Sequence, residues 1–550
     1  MAVIAVKLVA LLAAVAAVQA GRDPILPFHE SARANANHIF NAVHSAGRQW
    51  GSSLNHNGFG FIPAVVSAGT SFYHGGYTEE PPDGPEWLAF EVEHAEFFAR
   101  PPPRGPARHR PCPEGKHLHP VADQAEMYSG GCDEEGQVRG YLQTYHTTRD
   151  IQLLYLDGTS AGKTYVGTLD SQDEVLCQDD SRQGDILGDE MRRAKALCDM
   201  VTEWGWDGIM RMEVGFEVIY CNFSAGLHLD SSLRTLLPED RLKRDADSVP
   251  LWLRAAAERY DGIGGDRVKL DFSSMVSGFF FPINISSTDP ERPDLIRLGA
   301  AKREHLRDIK AYLQNVFAEP RKFVVNWQAV VDMIIARFGK RLAAMASVGV
   351  SGDQFIGELE GVALTYYEAP GAPGDITLEA DEDDRNRTGE ALDRCVAHYL
   401  KPALPRQKDW TLSDALIHTA LEAVTQRICS DLFLMRAILL DATPDAAPDA
   451  YLIKRGVKST EMENAVKQSR VIARNLVQEL AWTTWKKPQL CSEEEVLLVA
   501  MWPIGDDVDH FHPGCVSFEE ATANRRSYWK PHEQRPEPND PRLDHFEHVV

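Results

Sequence analysis

The sequence predicts an α+β fold, with a mixed-sheet N-terminal domain followed by a mainly α-helical domain. Three observations carry this reading. Short runs rich in β-branched and aromatic residues, separated by turn residues, recur between Phe59 and Tyr220. Apolar stripes at helical spacing dominate from Leu306 to Leu480. A chain of 550 residues is also long enough for two hydrophobic cores.

At the N-terminus, Lys7 precedes an apolar run from Leu8 to Val18 and then Val18-Gln19-Ala20, the pattern of a signal peptide over residues 1–20. The run is too short to cross a bilayer, which takes about 20 apolar residues. The expected product is secreted, extracellular and free of the membrane once the signal is cleaved. Sequons at Asn222, Asn284 and Asn386 fit glycosylation on that route. The nine cysteines fit disulfide bonding; within their own segments, Cys112 with Cys132 and Cys491 with Cys515 are the nearest pairs.

An amphipathic helix is expected over roughly Ala32–Leu54, because Ile39, Val43, Trp50 and Leu54 return to one face. Strand-like runs follow at Phe59–Val66, Thr70–Tyr73, Trp87–Phe90, Ile151–Leu156 and Ile209–Tyr220. These make an α+β domain over 21–235, interrupted by a Pro- and Gly-rich insertion at 100–140. Residues 236–526 read as the helical domain. Leu306, Ile309, Leu313 and Val316 mark one stripe, and a helix from Phe323 to Phe338 is expected to stop at Gly339. Thr411-x-x-Asp414 and Thr460-x-x-Glu463 begin two more helices. The polar, Pro-rich stretch 527–550 reads as a disordered tail.

The formal charge of −24 excludes general affinity for nucleic acid or anionic membrane, which needs a basic field. Gly158-Thr-Ser-Ala-Gly162-Lys163-Thr164 superficially resembles a phosphate-binding loop, but it has three residues between its glycines where four are required, and Asp157 stands at the first glycine position. Asp506 to His512, and separately His109, Cys112, His117 and His119, gather metal-donor types; the expectation is a solvated turn in the first case and an exposed insertion in the second, with no metal site. No Gly-x-Ser-x-Gly elbow is present. Between Ile209 and Asn222, Glu213 and Glu217 share one strand face. On a single straight strand their Cα atoms would be about 13 Å apart, beyond the roughly 5 to 9.5 Å of paired glycosidase carboxylates, unless a bulge at Gly215 bends the chain.

Gly69-Thr70-Ser71-Phe72-Tyr73-His74-Gly75, then Glu86-Trp87-Leu88-Ala89-Phe90 with Glu93-His94-Ala95-Glu96-Phe97-Phe98-Ala99, then Ile151–Leu156 and Gly215–Tyr220 together resemble the ADP-ribosyltransferase superfamily. The resemblance spans roughly Ala68 to Asn222. It implies an ADP-ribosyltransferase-like domain with NAD as substrate. His74, with Tyr73 and Phe90, would bind it, and Glu217 would stabilise the oxocarbenium-like charge formed as nicotinamide leaves. The family's middle motif supplies a Tyr or Ser where Leu88-Ala89-Phe90 has no hydroxyl. The chain also resembles fungal secreted proteins sharing His44-Ser-Ala-x-Arg48-Gln-Trp-Gly-Ser-Ser-Leu54, a likeness that implies no activity.

Three functions stay open. One is an effector or toxin that cleaves NAD and modifies a protein target. The second is a non-enzymatic secreted binding protein that captures a partner or ligand. The third is an extracellular hydrolase, which two carboxylates at hydrolase spacing in one cleft would favour.

Overall fold

A computed structural model describes residues 22–99, 140–178, 190–235, 267–368, 383–443, 459–487 and 491–522, apart from positions 165, 288, 291, 293, 502 and 503, together with Ile263, Ile453, Arg455, Gly456 and Tyr528. The signal peptide, residues 100–139 with Cys112, Cys132 and the three insertion histidines, and the tail beyond Tyr528 lie outside the described residues. The architecture is α+β, a mixed sheet in the N-terminal half and mainly helices after it.

The chain forms two compact units. One holds Ser45–Lys322 and the described residues from Lys487, with the stretch before Phe28. The other holds Phe28–His44 and Phe323–Lys486. The expected single helix over Ala32–Leu54 is three: α1 (His29–Ala34), α2 (Ala36–Ser45) and α3 (Gln49–Leu54). Gly47 breaks the run after α2 with φ +66°, a conformation that costs glycine least.

Besides a separate two-stranded sheet, Glu495–Leu498 with Gly514–Ser517, the first unit is built on a ten-stranded one. Its strands are β1 (Asn57–Val66), β2 (Ser71–Gly76), β3 (Glu86–Ala89), β4 (Tyr141–Thr147), β5 (Ile151–Gly158), β6 (Gly208–Met212), β7 (Phe216–Tyr220), β8 (Leu227–Arg234), β9 (Val268–Leu270) and β10 (Val276–Ser277). They run in the order β10-β1-β5-β6-β7-β3-β2-β4-β8, with β9 also on β1. Every pairing is antiparallel except β5 with β6. Helix α4 (Val92–Phe98) follows β3, and α5 (Glu190–Glu203) lies between the parallel strands in sequence and packs on β6.

Pro63 sits inside the interior strand β1, where a missing N–H would normally cost a ladder bond. Here β10 pairs with Gly60 and Phe61 while β9 pairs with Ala64 to Val66. Pro63 falls in the gap between them, and its carbonyl accepts from the Asp271 N–H at 2.8 Å.

Asp157, near the end of β5, is fully buried against Gly58 and accepts from the Gly60 N–H at 2.7 Å. Burial pushes its carboxyl up to about 7. The folded chain thus keeps a proton that the unfolded chain releases near pH 4. Stability from this group is full below that pH and is lost as pH rises through about 7, a change on the order of 4 kcal/mol. Asp157→Asn is expected to flatten the fall in denaturation midpoint between pH 5 and pH 8; equal slopes in the two proteins would refute the assignment.

Three disulfides occur among the described residues: Cys198–Cys221, Cys395–Cys429 and the expected Cys491–Cys515. Cys177 is a further buried cysteine. Cys198–Cys221 ties α5 to the end of β7 across 23 residues. Replacing both cysteines by serine is expected to lower stability by roughly 3 kcal/mol in urea denaturation. A cost below about 1 kcal/mol would mean that the packing of α5 on β6 already restrains the loop.

Helix α6 (Arg303–Phe317) still belongs to the sheet unit. The helical unit contains α7 (Trp327–Ala346), α8 (Gly352–Ala363), α9 (Asp383–Ala397), α10 (Leu412–Asp441) and α11 (Thr460–Leu480). Helix α7 does not stop at Gly339 but continues to Ala346, and the Gly339 carbonyl accepts from the Trp485 indole at 2.8 Å. The Thr411–Asp414 capping box is formed, and Asp414 also accepts from the buried Trp327 indole. At α11 the cap is Ser459, one residue before the expected Thr460. Among the described residues no helix is long and apolar enough to cross a membrane.

The segment after Leu498 is not a loose turn. Asp506 and Asp509 form a capping box for α12 (Asp507–Phe511), and His510 is buried in a stack with Tyr528. Asp506 and Asp509 serve the helix end, and Asp507 pairs with Arg292.

Candidate functional site

The site starts with a correction. Ile209–Tyr220 is not one strand but a hairpin, β6 and β7, closing at the Met212–Phe216 pair with Glu213-Val214-Gly215 in the turn. The Glu213 N–H donates to the Gly215 carbonyl at 3.0 Å. Folding back brings the carboxylates together, so donor atoms of Glu213, Glu217 and His94 all lie within 4.8 Å of one another. The 13 Å separation of a straight strand therefore does not apply.

β2 and β3 pair at a single position, Tyr73 with Ala89. Ladder registers extend that position into a row, Tyr73–Ala89–Glu217–Arg211, whose side chains leave one face of the sheet. Helix α4 covers this face closely: a Cβ on Gly75 would stand 2.1 Å from the Ala95 carbonyl oxygen. Glycine at this position is required by the approach of the helix.

Between sheet and helix lies a cleft lined by Tyr73, His74, Trp87, His94, Lys163, Glu213 and Glu217, among others. It contains about 440 Å³ of empty space including its mouth, of which about 30 Å³ is wide enough for the centre of a water molecule. Lys163 arrives from the glycine-rich turn after β5, where the Ala161 N–H bonds the Met212 carbonyl at 2.8 Å.

Behind the cleft is a buried charge network. Arg211 donates to Glu217 through Nε at 3.1 Å and Nη2 at 2.6 Å, to Glu190 through Nη2 at 2.6 Å, and to Gln172 through Nη1 at 2.8 Å. Arg193 bonds Glu190 and grips Asp173 with two bonds of 2.7 and 3.0 Å. Gln172 and Asp173 ride on a π-helix, Ser171–Leu176, a rare form that turns up often at functional sites.

Burial works against ionising Glu190, yet Arg211, Lys163 and Arg193 hold it down to about 2. Burial raises the Glu217 carboxyl, which Arg211 opposes and the neighbouring Glu213 reinforces. Burial works against the charged form of His94, but its 3.3 Å bond to Glu213, the nearby charges of Glu213 and Glu217 and a backbone bond to Phe216 together outweigh this and raise its value. Glu190, Glu213, Glu217 and Asp173 thus gather around Arg211, Arg193 and Lys163, with His94 bonded to Glu213. His94, Glu213 and Glu217 are a donor set that suits a divalent ion. Arg211 already bonds Glu217, and His94 bonds Glu213.

Of the residues singled out from sequence, Tyr73, His74 and Glu217 all border the cleft. His74 stands one place along from Tyr73, so its side chain leaves the other face; Nδ1 lies 2.8 Å from the Trp87 carbonyl oxygen and the ring meets Phe223 edge-on. Phe90 is fully buried against Phe72 and is not among the cleft residues. Arg211, Glu190 and Lys163 were not foreseen, and His94 had no role assigned. The glycine at 215 was the available signal for the hairpin that makes them neighbours. Asn222 and Asn284 are exposed, whereas Asn386 has a side chain outside those described.

A family model described as the YPL277C N-terminal domain matches residues 28–126 and 112–249. The Saccharomyces cerevisiae protein whose name is printed as Uncharacterized protein YPL277C is 33% identical over 381 residues, 57% of this chain and 75% of its own length. The chain belongs to the YPL277C family. A second yeast relative, printed as Uncharacterized protein YOR389W, is 26% identical over 539 residues, 85% of this chain and 82% of its own. The YPL277C-family match over 28–249 contains every residue that lines the cleft. No solved structure matches the chain.

Proposed function

We propose that this YPL277C-family member is exported and that the Glu217 cleft cleaves the bond between nicotinamide and ribose in NAD, as ADP-ribosyltransferases do. One observation carries the reading: Tyr73 and Glu217, named from separate segments of the sequence, border the same cleft in one row on its floor, and His74, whose ring leaves the other face, lines it from the neighbouring position. In the reaction nicotinamide departs as a neutral molecule with the bonding electron pair. The ribosyl carbon left behind shares its positive charge with the ring oxygen. Water or a nucleophilic side chain of a target protein then adds to that carbon and releases a proton. The carboxylate of Glu217, held by Arg211, opposes the developing charge without having to reorganise. The three disulfides fit the oxidising route that export implies.

A second reading has its own support. Carboxylate atoms of Glu213 and Glu217 within 4.8 Å approach the roughly 5 Å spacing of retaining glycosidases. The deciding experiment incubates the purified mature protein with NAD and, separately, with aryl glycosides, following nicotinamide and aglycone release. Nicotinamide alone supports the first reading and aglycone alone the second. Neither product, with no NAD binding by calorimetry, would reject both and leave a binding protein.

A further inference from the structure

A second cluster lies away from the cleft, at the edge of the sheet. His146 on β4 stands directly opposite His228 on the edge strand β8, with ring centroids 4.9 Å apart and 31° between planes. The ladder then slips: Thr144 pairs with Ser231 and Tyr145 with Leu229, so Asp230 is an extra residue with no partner strand position. Such a bulge bends its strand and re-aims a side chain. Asp230 is brought to both imidazoles. Its carboxylate lies 2.8 and 3.0 Å from His146 Nδ1 and 3.2 Å from His228 Nδ1.

These separations have a chemical meaning. Zinc binds imidazole nitrogen and carboxylate oxygen at about 2.0 to 2.2 Å, so neighbouring donors on a tetrahedral ion stand about 3.3 Å apart. The nitrogen-to-oxygen distances set by the strands fall close to that edge length, and the cluster's donor atoms all lie within 4.8 Å of one another. All three side chains are substantially exposed, 39% for His146, 63% for His228 and 39% for Asp230. An ion can reach them, and a fourth position stays open to water. Two imidazoles and one carboxylate are the donor types that zinc and copper(II) favour over calcium or magnesium.

We propose that His146, His228 and Asp230 form a surface site for a divalent transition ion of the zinc type, which staples the edge strand β8 to β4. Each Nδ1 faces a carboxylate oxygen and carries its proton there; binding the ion at Nδ1 transfers that proton through solvent to Nε2, leaving each ring neutral. The site is independent of the NAD reading, since it shares no residue with the cleft.

The test is calorimetric titration of the full-length, chelator-washed protein with zinc chloride at pH 7.4, alongside His146→Ala, His228→Ala and the double variant. One site with micromolar affinity is expected, weakened at least tenfold by each single substitution and lost in the double. Thermal melting provides an independent readout. Zinc should raise the midpoint of the unsubstituted protein by several degrees and leave the double variant unmoved. Because the three side chains are exposed, the variants should melt normally without metal. Absence of saturable zinc binding overturns the proposal. So does binding that survives the double substitution, which would place the ion elsewhere, for example at His94 or among the histidines of 109–119.

Discussion

Glu217→Gln is expected to reduce nicotinamide release from NAD by about 100- to 1000-fold, the loss typical when a preorganised electrostatic contact to a transition state is removed. The substitution isolates charge from shape. A glutamine carbonyl can accept the same two Arg211 bonds, through Nε and Nη2, that Glu217 Oε1 accepts now. Arg211 also keeps Glu190 as a counter-charge, so the thermal midpoint should move little. Glu213→Gln makes an informative partner. Glu213 bonds His94, and in an ADP-ribosyltransferase-like reaction its loss should cost less than that of Glu217. If Glu213 and Glu217 divide nucleophile and acid roles as in a retaining glycosidase, either substitution should abolish turnover. Full NAD turnover in a folded Glu217→Gln protein would sink the catalytic assignment.

Arg211→Met should be the most destabilising single substitution in the cleft region, at about 3 to 5 kcal/mol. The Arg211 guanidinium is 1% exposed and joins Glu217, Glu190 and Gln172 at once. Methionine fills much of its volume but leaves buried Glu217 without its hydrogen-bonded cation and Glu190 with Arg193 alone, so that charge must stay under-compensated or protons be taken up. Arg211→Lys should recover only part of the loss, because one ammonium cannot reproduce the fork that reaches three partners. Adding Glu190→Gln and Glu217→Gln to Arg211→Met should restore stability, since the uncompensated charges are then gone. Urea denaturation at pH 7 measures all four proteins. A midpoint unchanged in Arg211→Met would mean that water reaches the network and screens it.

Much of the architecture is written locally. The almost wholly buried run of β1, the wholly buried β6 and β7, and the Thr411–Asp414 cap of α10 each depend on residues within a turn or two of one another. Such signals survive without any knowledge of the rest of the chain. The failures came where a neighbour distant in sequence overrides a local preference. Gly339 continues a helix that packs on α11, and the distant Trp485 indole bonds its carbonyl. The edge strand β8 alternates only between half-buried and exposed residues, so it carries little apolar period to read. Asp230 reaches its two histidines only through a slip in cross-strand register, which has no counterpart in spacing along one strand.

By itself, the sequence determined the two structural regimes, the candidate Glu217 and the segments carrying Tyr73 and His74, because periodicity and motif are properties of adjacent residues. Tertiary structure decided which side chains share a space. The hairpin at Gly215 converted two distant carboxylates into neighbours, strand register set Tyr73 in a row with Glu217 and Arg211, and the close approach of α4 over Gly75 added His94. The physical reason is that burying a charge depends on partners gathered from β6, α5, the π-helix and α4, and those partners become neighbours only once the sheet has formed.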